Sequence, residues 1–339
     1  MAGSPIGVGF VGMGAVAEQH RRALDEIPAA RLVAGCGPTD QDLQRARAWG
    51  LRAYREAGEL VADPDVEVVF VLSPMELHCA HAIQALQAGR PVLVEKPVSG
   101  SVDDIILLRA EAERAALPCV PAHNYIYNPA VRQAHQLLEA GALGTVCMTW
   151  IMYAIHHAEE VAAHYPGVLQ QILPHHLYTL LYLHGMPLRL SAMSGRRHYQ
   201  NLEQEDQVAI QLELADGSQA HLFATFAADD RTSQPWTFMI KILGTGGGFN
   251  HSWRDVVTAG SLGTHAERFG AYEDSYRRED EHFLLRALRG EPAPSTLTDA
   301  ARVQQMVDAA ARSIATGRTV ELGGGTEHPV ETAADPGPR

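Results

Sequence analysis

Lysine is almost missing from this chain. Of its 27 Lys and Arg residues only two, Lys96 and Lys241, are lysine. Acidic residues number 40, so the formal net charge is -13. Without a basic surplus to neutralise phosphates, nucleic acid and anionic membrane are excluded as general partners. Cysteine is sparse too. Cys36, Cys79, Cys119 and Cys147 show no CxxC pair and no metal-ligand spacing. We therefore expect free thiols in a reducing cytoplasm and no metal site. No stretch approaches twenty apolar residues, so no membrane span is expected. The opening "MAGSPIGVGFVGMG" lacks a basic leader, and we expect no signal peptide.

What the chain does have is length and apolar content: 339 residues, 46% of them hydrophobic. That is comfortable for two domains. Residues 6–124 alternate short apolar runs with helical periodicity. "IGVGFVG" (6–12), "ARLVAGC" (30–36), "VEVVFVLS" (66–73), "PVLVEKP" (91–97) and "PCVPAHN" (118–124) read as strands, with a helix after each of the first four. Strict alternation predicts βαβ units and a doubly wound parallel sheet. Beyond a further helix at 128–141 the pattern changes. Segments at 145–155, 189–199, 206–214, 218–227 and 237–244 alternate apolar and polar residues, with Asp216-Gly217 as a hairpin tip. One helix (173–185) interrupts them and two (275–290, 298–317) follow. The expected fold is thus an α/β Rossmann domain plus an α+β domain with an open, mostly antiparallel sheet.

The first strand-to-helix turn reads "GFVGMGAVA". Gly12 suits a tight turn, Gly14 lets a pyrophosphate approach the backbone, and small Ala17 lets the helix pack on the strand. The free N–H groups at the helix start, around Ala15 and Val16, need no basic side chain to hold an anion. A bound NAD or NADP is the expectation. The second strand ends "AGCGPTD", with Gly37 where an acid would read the ribose 2′-hydroxyl. Thr39 could donate to a 2′-phosphate, so the lean is to NADP. Lys96, at the end of the fourth strand, falls where the nicotinamide half should lie. Desolvation there draws an ammonium toward proton exchange.

These motifs, with "SPMELH" (73–78), "EKPVSGS" (95–101), "AGALGTV" (140–146) and "ILGTGGGF" (242–249), make the chain resemble the glucose-fructose oxidoreductase, inositol dehydrogenase and MocA family. The likeness runs from residue 6 to about 322. It implies an NAD(P)-binding domain over 1–123 and a substrate and oligomerisation domain over 124–323; the polar, Gly/Pro-rich stretch 324–339 is expected to be a disordered tail. It further implies a homodimer or homotetramer. The implied activity is that of a dehydrogenase or ketoreductase acting on a carbinol or ketone of a sugar, cyclitol or related polyol, which could be biosynthetic. Relatives that cleave glycosidic bonds by elimination, reductases of imines or thioester-linked carbonyls, and a non-catalytic dinucleotide-binding protein are the other readings. By resemblance Lys96 is catalytic, and Ser73, Pro74, His78, Glu95 and Asn124 line the coenzyme.

The family's second catalytic motif, DxGxHxxD, is matched by "QILPHHLY" (171–178). His175 keeps the histidine position, while Gln171 and Tyr178 stand where the family has acids. Residues 171, 175 and 178 are expected on one helix face. The expected catalytic set is Lys96, His175 and Gln171, with Tyr125 and His176 added at the substrate. The histidine-rich stretch 156–184 has no ligand spacing and is read as pocket lining around one catalytic His. Asp229, Asp230 and Arg231 could reach a substrate or form a solvated loop. Trp150 and Tyr153 are expected to pack.

Overall fold

A computed structural model describes residues 4–228, 237–252 and 265–323, with backbone alone for 265–271 and 273. The tail 324–339 and Asp229, Asp230 and Arg231 lie outside the described residues.

The first half runs β1 (Ile6–Val11), α1 (Ala15–Asp25), β2 (Ala30–Cys36), α2 (Asp40–Ala48), β3 (Arg52–Tyr54), α3 (Ala57–Val61), β4 (Val68–Val71), α4 (Met75–Gln87), β5 (Val92–Glu95), α5 (Val102–Ala115) and β6 (Cys119–Ala122). All six strands are parallel, in the order β3-β2-β1-β4-β5-β6. The order reverses between β1 and β4, which opens a crevice at the carboxyl ends of the strands. Val69, Phe70 and Val71 of β4 are fully buried, as a strand covered on both faces requires. Helix starts are fixed locally. Thr39 and Asp42 form a reciprocal capping box on α2, and the Ser101 side chain caps α5. Each such cap stabilises by about 1 kcal/mol.

A 3-10 turn (Asn124–Tyr127) leads into α6 (Pro129–Glu139), β7 (Val146–Ala154), α7 (Glu159–Ala162), α8 (Val168–Gln171) and α9 (Leu173–His184). Then come β8 (Arg189–Gly195), β9 (Gln207–Glu213), β10 (Gln219–Thr225), β11 (Thr237–Gly244), β12 (Gly247–Ser252), α10 (His265–Leu285), α11 (Leu297–Thr316) and β13 (Val320–Glu321). The second sheet has the order β12-β11-β7-β10-β9-β8-β13. Its pairs are antiparallel except β7 with β10. α9, α11 and the 124–127 turn cover its inner face in one continuous core.

Six elements escaped the sequence reading, two of them the four-residue helices α7 and α8. β3 is a three-residue edge strand, and β13 pairs through two residues. α3 has five residues, too few to show a period. β12, "GGFNHS", is glycine-rich and forms only because β11 supplies its partner. α10 begins ten residues before its expected start at 275 and ends at Leu285, followed by a 3-10 turn.

The last two long helices return to the first domain. α10 packs on α1 and α11 on α5. Phe283 of α10 is fully buried against Phe70 of β4, with ring centroids 5.7 Å apart. Arg109 of α5 donates to Thr298 of α11 at 3.1 Å. The parallel sheet is therefore roofed by chain drawn from both ends of the sequence.

Candidate active site

The crevice begins at the turn from β1 to α1. Gly12 has φ +109, and a Cβ there would lie 2.4 Å from the backbone of Leu72. Only glycine fits. Gly14 is the reverse case, since a Cβ on it would meet nothing within 4 Å. No side chain caps α1, so the first N–H groups, those of Ala15 and Val16 among them, are free for a ligand. Open space at Gly14 before an uncapped eleven-residue helix fits a dinucleotide pyrophosphate.

At the end of β2, Gly37 lies under the Asp42 side chain. The Thr39 hydroxyl is committed to the Asp42 carboxylate at 2.6 Å. The neighbouring cations are committed as well. Arg45 donates to the carbonyls of Met13 and Gly14, and Arg55 pairs with Asp40.

Beyond β4, His78 is buried and bound at both nitrogens. Nδ1 meets the Pro97 carbonyl at 2.8 Å and Nε2 the Ser73 carbonyl at 2.6 Å. It staples the loop after β4 to the loop after β5 instead of facing the crevice. Ser73 and Pro74 precede α4, and the Ser73 hydroxyl meets His81 Nδ1 at 3.0 Å. Glu95 is also among the residues expected to line the coenzyme. It turns inward: Oε1 meets His20 Nε2 at 3.3 Å, and Oε2 accepts from the Lys96 backbone N–H at 2.8 Å.

Lys96 goes the other way, as alternation at a strand end dictates. Its Nζ donates to the Gln171 carbonyl at 3.3 Å. Burial lowers its pKa, opposed by the nearby charge of Glu95. Gln171 thus presents a carbonyl, not the expected side-chain amide, to the ammonium. It also ends α8, whereas His175 and Tyr178 belong to α9, so the three do not share one continuous helix.

His175 is 4% exposed. Its ring stacks on Tyr125 with centroids 4.4 Å apart. Its Nδ1 lies 2.6 Å from the Tyr178 hydroxyl. That hydroxyl donates to Asn124 Oδ1 at 3.1 Å and accepts from the Tyr125 backbone N–H at 3.2 Å. Asn124 Nδ2 in turn donates to Ser275 Oγ of α10 at 3.0 Å. With the phenolic proton on Asn124, the hydroxyl oxygen accepts Nδ1–H of His175, and Nε2 is left as the bare nitrogen. Burial, followed by the charge of Lys96, holds the His175 pKa well below its ordinary value. Asn124 therefore orients the histidine through Tyr178, and its own side-chain amide is engaged by Tyr178 and Ser275.

His176, expected at the substrate, is fully buried and has neither nitrogen hydrogen-bonded. It sits between Tyr153 and Phe238, where burial pushes its pKa to about 3. The other histidines of the stretch disperse: His156 meets the Ala227 carbonyl and His184 meets Thr149. Tyr153 is buried as expected, but Trp150 is exposed on the outer face of the sheet.

Sequence reasoning missed the roles of Tyr178, Ser275, His20 and Asp280. The signal for His20 was its place on the inward face of α1 with Ala17, Ala23 and Leu24.

A doubly wound sheet with an uncapped glycine turn, a half-buried lysine at the end of β5 and a second domain roofing it defines a two-domain dinucleotide-binding protein. Residues 6–123 match the model described as an oxidoreductase family with an NAD-binding Rossmann fold, and residues 131–250 match the GFO/IDH/MocA C-terminal domain. The chain belongs to the GFO/IDH/MocA oxidoreductase family. Inositol 2-dehydrogenase 3 of Saccharopolyspora erythraea is 28% identical over 184 residues, 52% of this chain and 53% of that protein. D-apiose dehydrogenase of Paraburkholderia graminis is 26% identical, over 55% of this chain and 52% of that protein. The chain thus spans about half the length of these curated relatives. Among solved structures, scyllo-inositol dehydrogenase from Lactobacillus casei superposes with a TM-score of 0.84 at 20% identity, covering 95% of this chain and 99% of that one. GenD2 from gentamicin A biosynthesis, crystallised with NAD, gives 0.82 at 24% identity, covering 96% and 98%. These likenesses carry the fold alone.

Proposed function

We propose that this protein is an NAD-dependent dehydrogenase of the carbinol carbon of a sugar, cyclitol or related polyol. The observation that carries the reading is the half-buried, cleft-facing Lys96 ammonium beside a neutral, oriented His175, at the crevice entered by the glycine turn. The names of the curated relatives support the substrate class. The nicotinamide, when bound, supplies or takes up the hydride. Gly12, Gly14 and the start of α1 hold its pyrophosphate. Lys96 supplies the proton. In reduction its ammonium donates to the ketone oxygen and is left as the amine; in oxidation the amine accepts the carbinol proton. Its lowered pKa suits both directions. His175, with Nε2 bare, accepts from a neighbouring substrate hydroxyl and fixes which carbon faces the hydride path.

The coenzyme choice turns on the end of β2. Asp42 brings a carboxylate over Gly37, Thr39 is committed to it, and the nearby arginines are engaged. This favours a ribose 2′-hydroxyl over a 2′-phosphate, against the lean to NADP read from the strand end. NADH is expected to bind at least tenfold tighter than NADPH in a fluorescence titration. Equal affinity would remove the argument.

The outer face of the second sheet carries Trp150, Met193 and Leu243, with Met193 73% exposed. Such a face supports a homo-oligomer. Among the described residues no helix is long and apolar enough to cross a membrane. The four free cysteines support a cytoplasmic location. The activity is tested by screening cyclitols, aldoses and ketoses for a change in nicotinamide absorbance. Turnover of a polyol supports the reading; binding of NADH with no turnover across the panel counts against it.

A further inference from the structure

Beside the site lies a buried charged cluster that the reaction does not touch. His20 of α1 is 0% exposed, and so are Glu279 and Asp280 of α10. Asp280 brings Oδ1 and Oδ2 to within 2.9 and 3.1 Å of His20 Nδ1. On the other side of the ring, Glu95 Oε1 is 3.3 Å from Nε2. Carboxylates accept, so a ring flanked by two of them must donate from both nitrogens and carry a positive charge. Burial alone would strip that charge. The Asp280 and Glu95 carboxylates outweigh it and raise the His20 pKa to about 10. Glu279, with both oxygens unpartnered, is pushed well above its ordinary value by burial and by Asp280. The remaining groups facing the cluster are Tyr272 and Tyr276 of α10 and His78 of α4.

The consequence falls on Lys96, the next residue after Glu95. A free carboxylate there would hold the ammonium in an ion pair and oppose proton release. Instead one Glu95 oxygen is spent on the His20 imidazolium and the other on a backbone N–H. The groups that face Lys96 in the cleft, the Gln171 carbonyl, His123 and His175, bring no negative charge. We propose that His20, locked as an imidazolium by Asp280, is a positioning residue that draws the Glu95 carboxylate into its own ion pair, weakens its hold on Lys96 and leaves the ammonium with no direct carboxylate contact, free to exchange its proton with substrate. This rests on the reading of Lys96 as the proton carrier.

The scarcity of lysine makes the test direct. Reductive methylation of the full-length protein with carbon-13 formaldehyde labels Lys96, Lys241 and the N-terminus, and the Lys96 resonance can be titrated by NMR. His20→Gln strands the Glu95 charge, and the Lys96 midpoint is expected to rise by about one pH unit. Asp280→Asn weakens the lock and should act in the same direction, less strongly, if His20→Gln does not fold. Glu95→Gln removes the charge and should not raise the midpoint. The inflection of kcat/KM against pH should move with the NMR midpoint. A midpoint unchanged in both the His20 and Asp280 variants overturns the proposal. So does a stoichiometric divalent metal displacing the His20 proton, since His20, Glu279 and Asp280 bring atoms within 4.8 Å of one another. If Lys96 shifts as expected while a Lys96→Met variant keeps its turnover, the assigned reaction role fails and the charge argument stands.

Discussion

Tyr178→Phe removes a single oxygen from the candidate site and keeps the ring, which stacks on His123 with centroids 4.1 Å apart. The lost hydroxyl takes a hydrogen bond from three buried groups: His175 Nδ1 at 2.6 Å, Asn124 Oδ1 at 3.1 Å and the Tyr125 N–H at 3.2 Å. An unsatisfied buried group costs about 1–3 kcal/mol. Asn124 retains Ser275, and His175 retains its stack on Tyr125. The net loss of fold stability should therefore be at least one such unit, about 1–3 kcal/mol or more, read by denaturant unfolding. The larger consequence is for His175, whose tautomer and ring angle lose their tether. Removing a residue that orients a functional histidine through its second nitrogen typically costs about 10–100-fold. A tenfold loss corresponds to about 1.4 kcal/mol in the barrier. The assay is steady-state turnover on whichever polyol the screen identifies, beside NADH binding by fluorescence. We expect kcat to fall in that range while the NADH dissociation constant changes less than about twofold. A kcat within twofold of wild type, or a loss confined to coenzyme binding, would refute the orienting role.

Two further outcomes follow from the geometry. Gly12→Ala places a Cβ 2.4 Å from the Leu72 backbone at φ +109; it should lower stability by about 2–4 kcal/mol and abolish NADH binding, measured by unfolding and by titration. For pH dependence, the His20 pKa is raised from 6.5 to about 10 on folding. Its stabilising contribution is therefore complete below 6.5 and is lost as pH climbs toward 10. Unfolding free energy should decline across that window, and His20→Gln should flatten the decline.

The fold was legible where chemistry is local. Glycines at 12 and 14, a β-branched run at 66–73 and a Gly stop at 89 each state their own backbone requirement. β3 and β12 were not legible, because neighbouring strands supply the hydrogen bonds that define them. The site shows the same division. Lys96 stood out by its rarity and its place at a strand end. Tyr178 read as an acid lost, because its value lies in a hydroxyl shared among His175, Asn124 and the Tyr125 backbone, and those contacts exist only once the 124–127 turn packs on α9. His20 showed only its inward place on α1; its role stayed hidden, since Asp280 lies 260 residues along the chain. Glu95 and His78 were placed in the lining by resemblance, and packing turned both inward.

The decisive measurement is chemical rescue of Lys96→Ala in single-turnover hydride transfer, with coenzyme and polyol preloaded. If Lys96 carries the proton, the variant should slow by about 100-fold or more, and added primary amines should restore rate in proportion to their concentration. A variant that transfers hydride at the wild-type rate, or slows but ignores amines over the full range, would contradict the assignment.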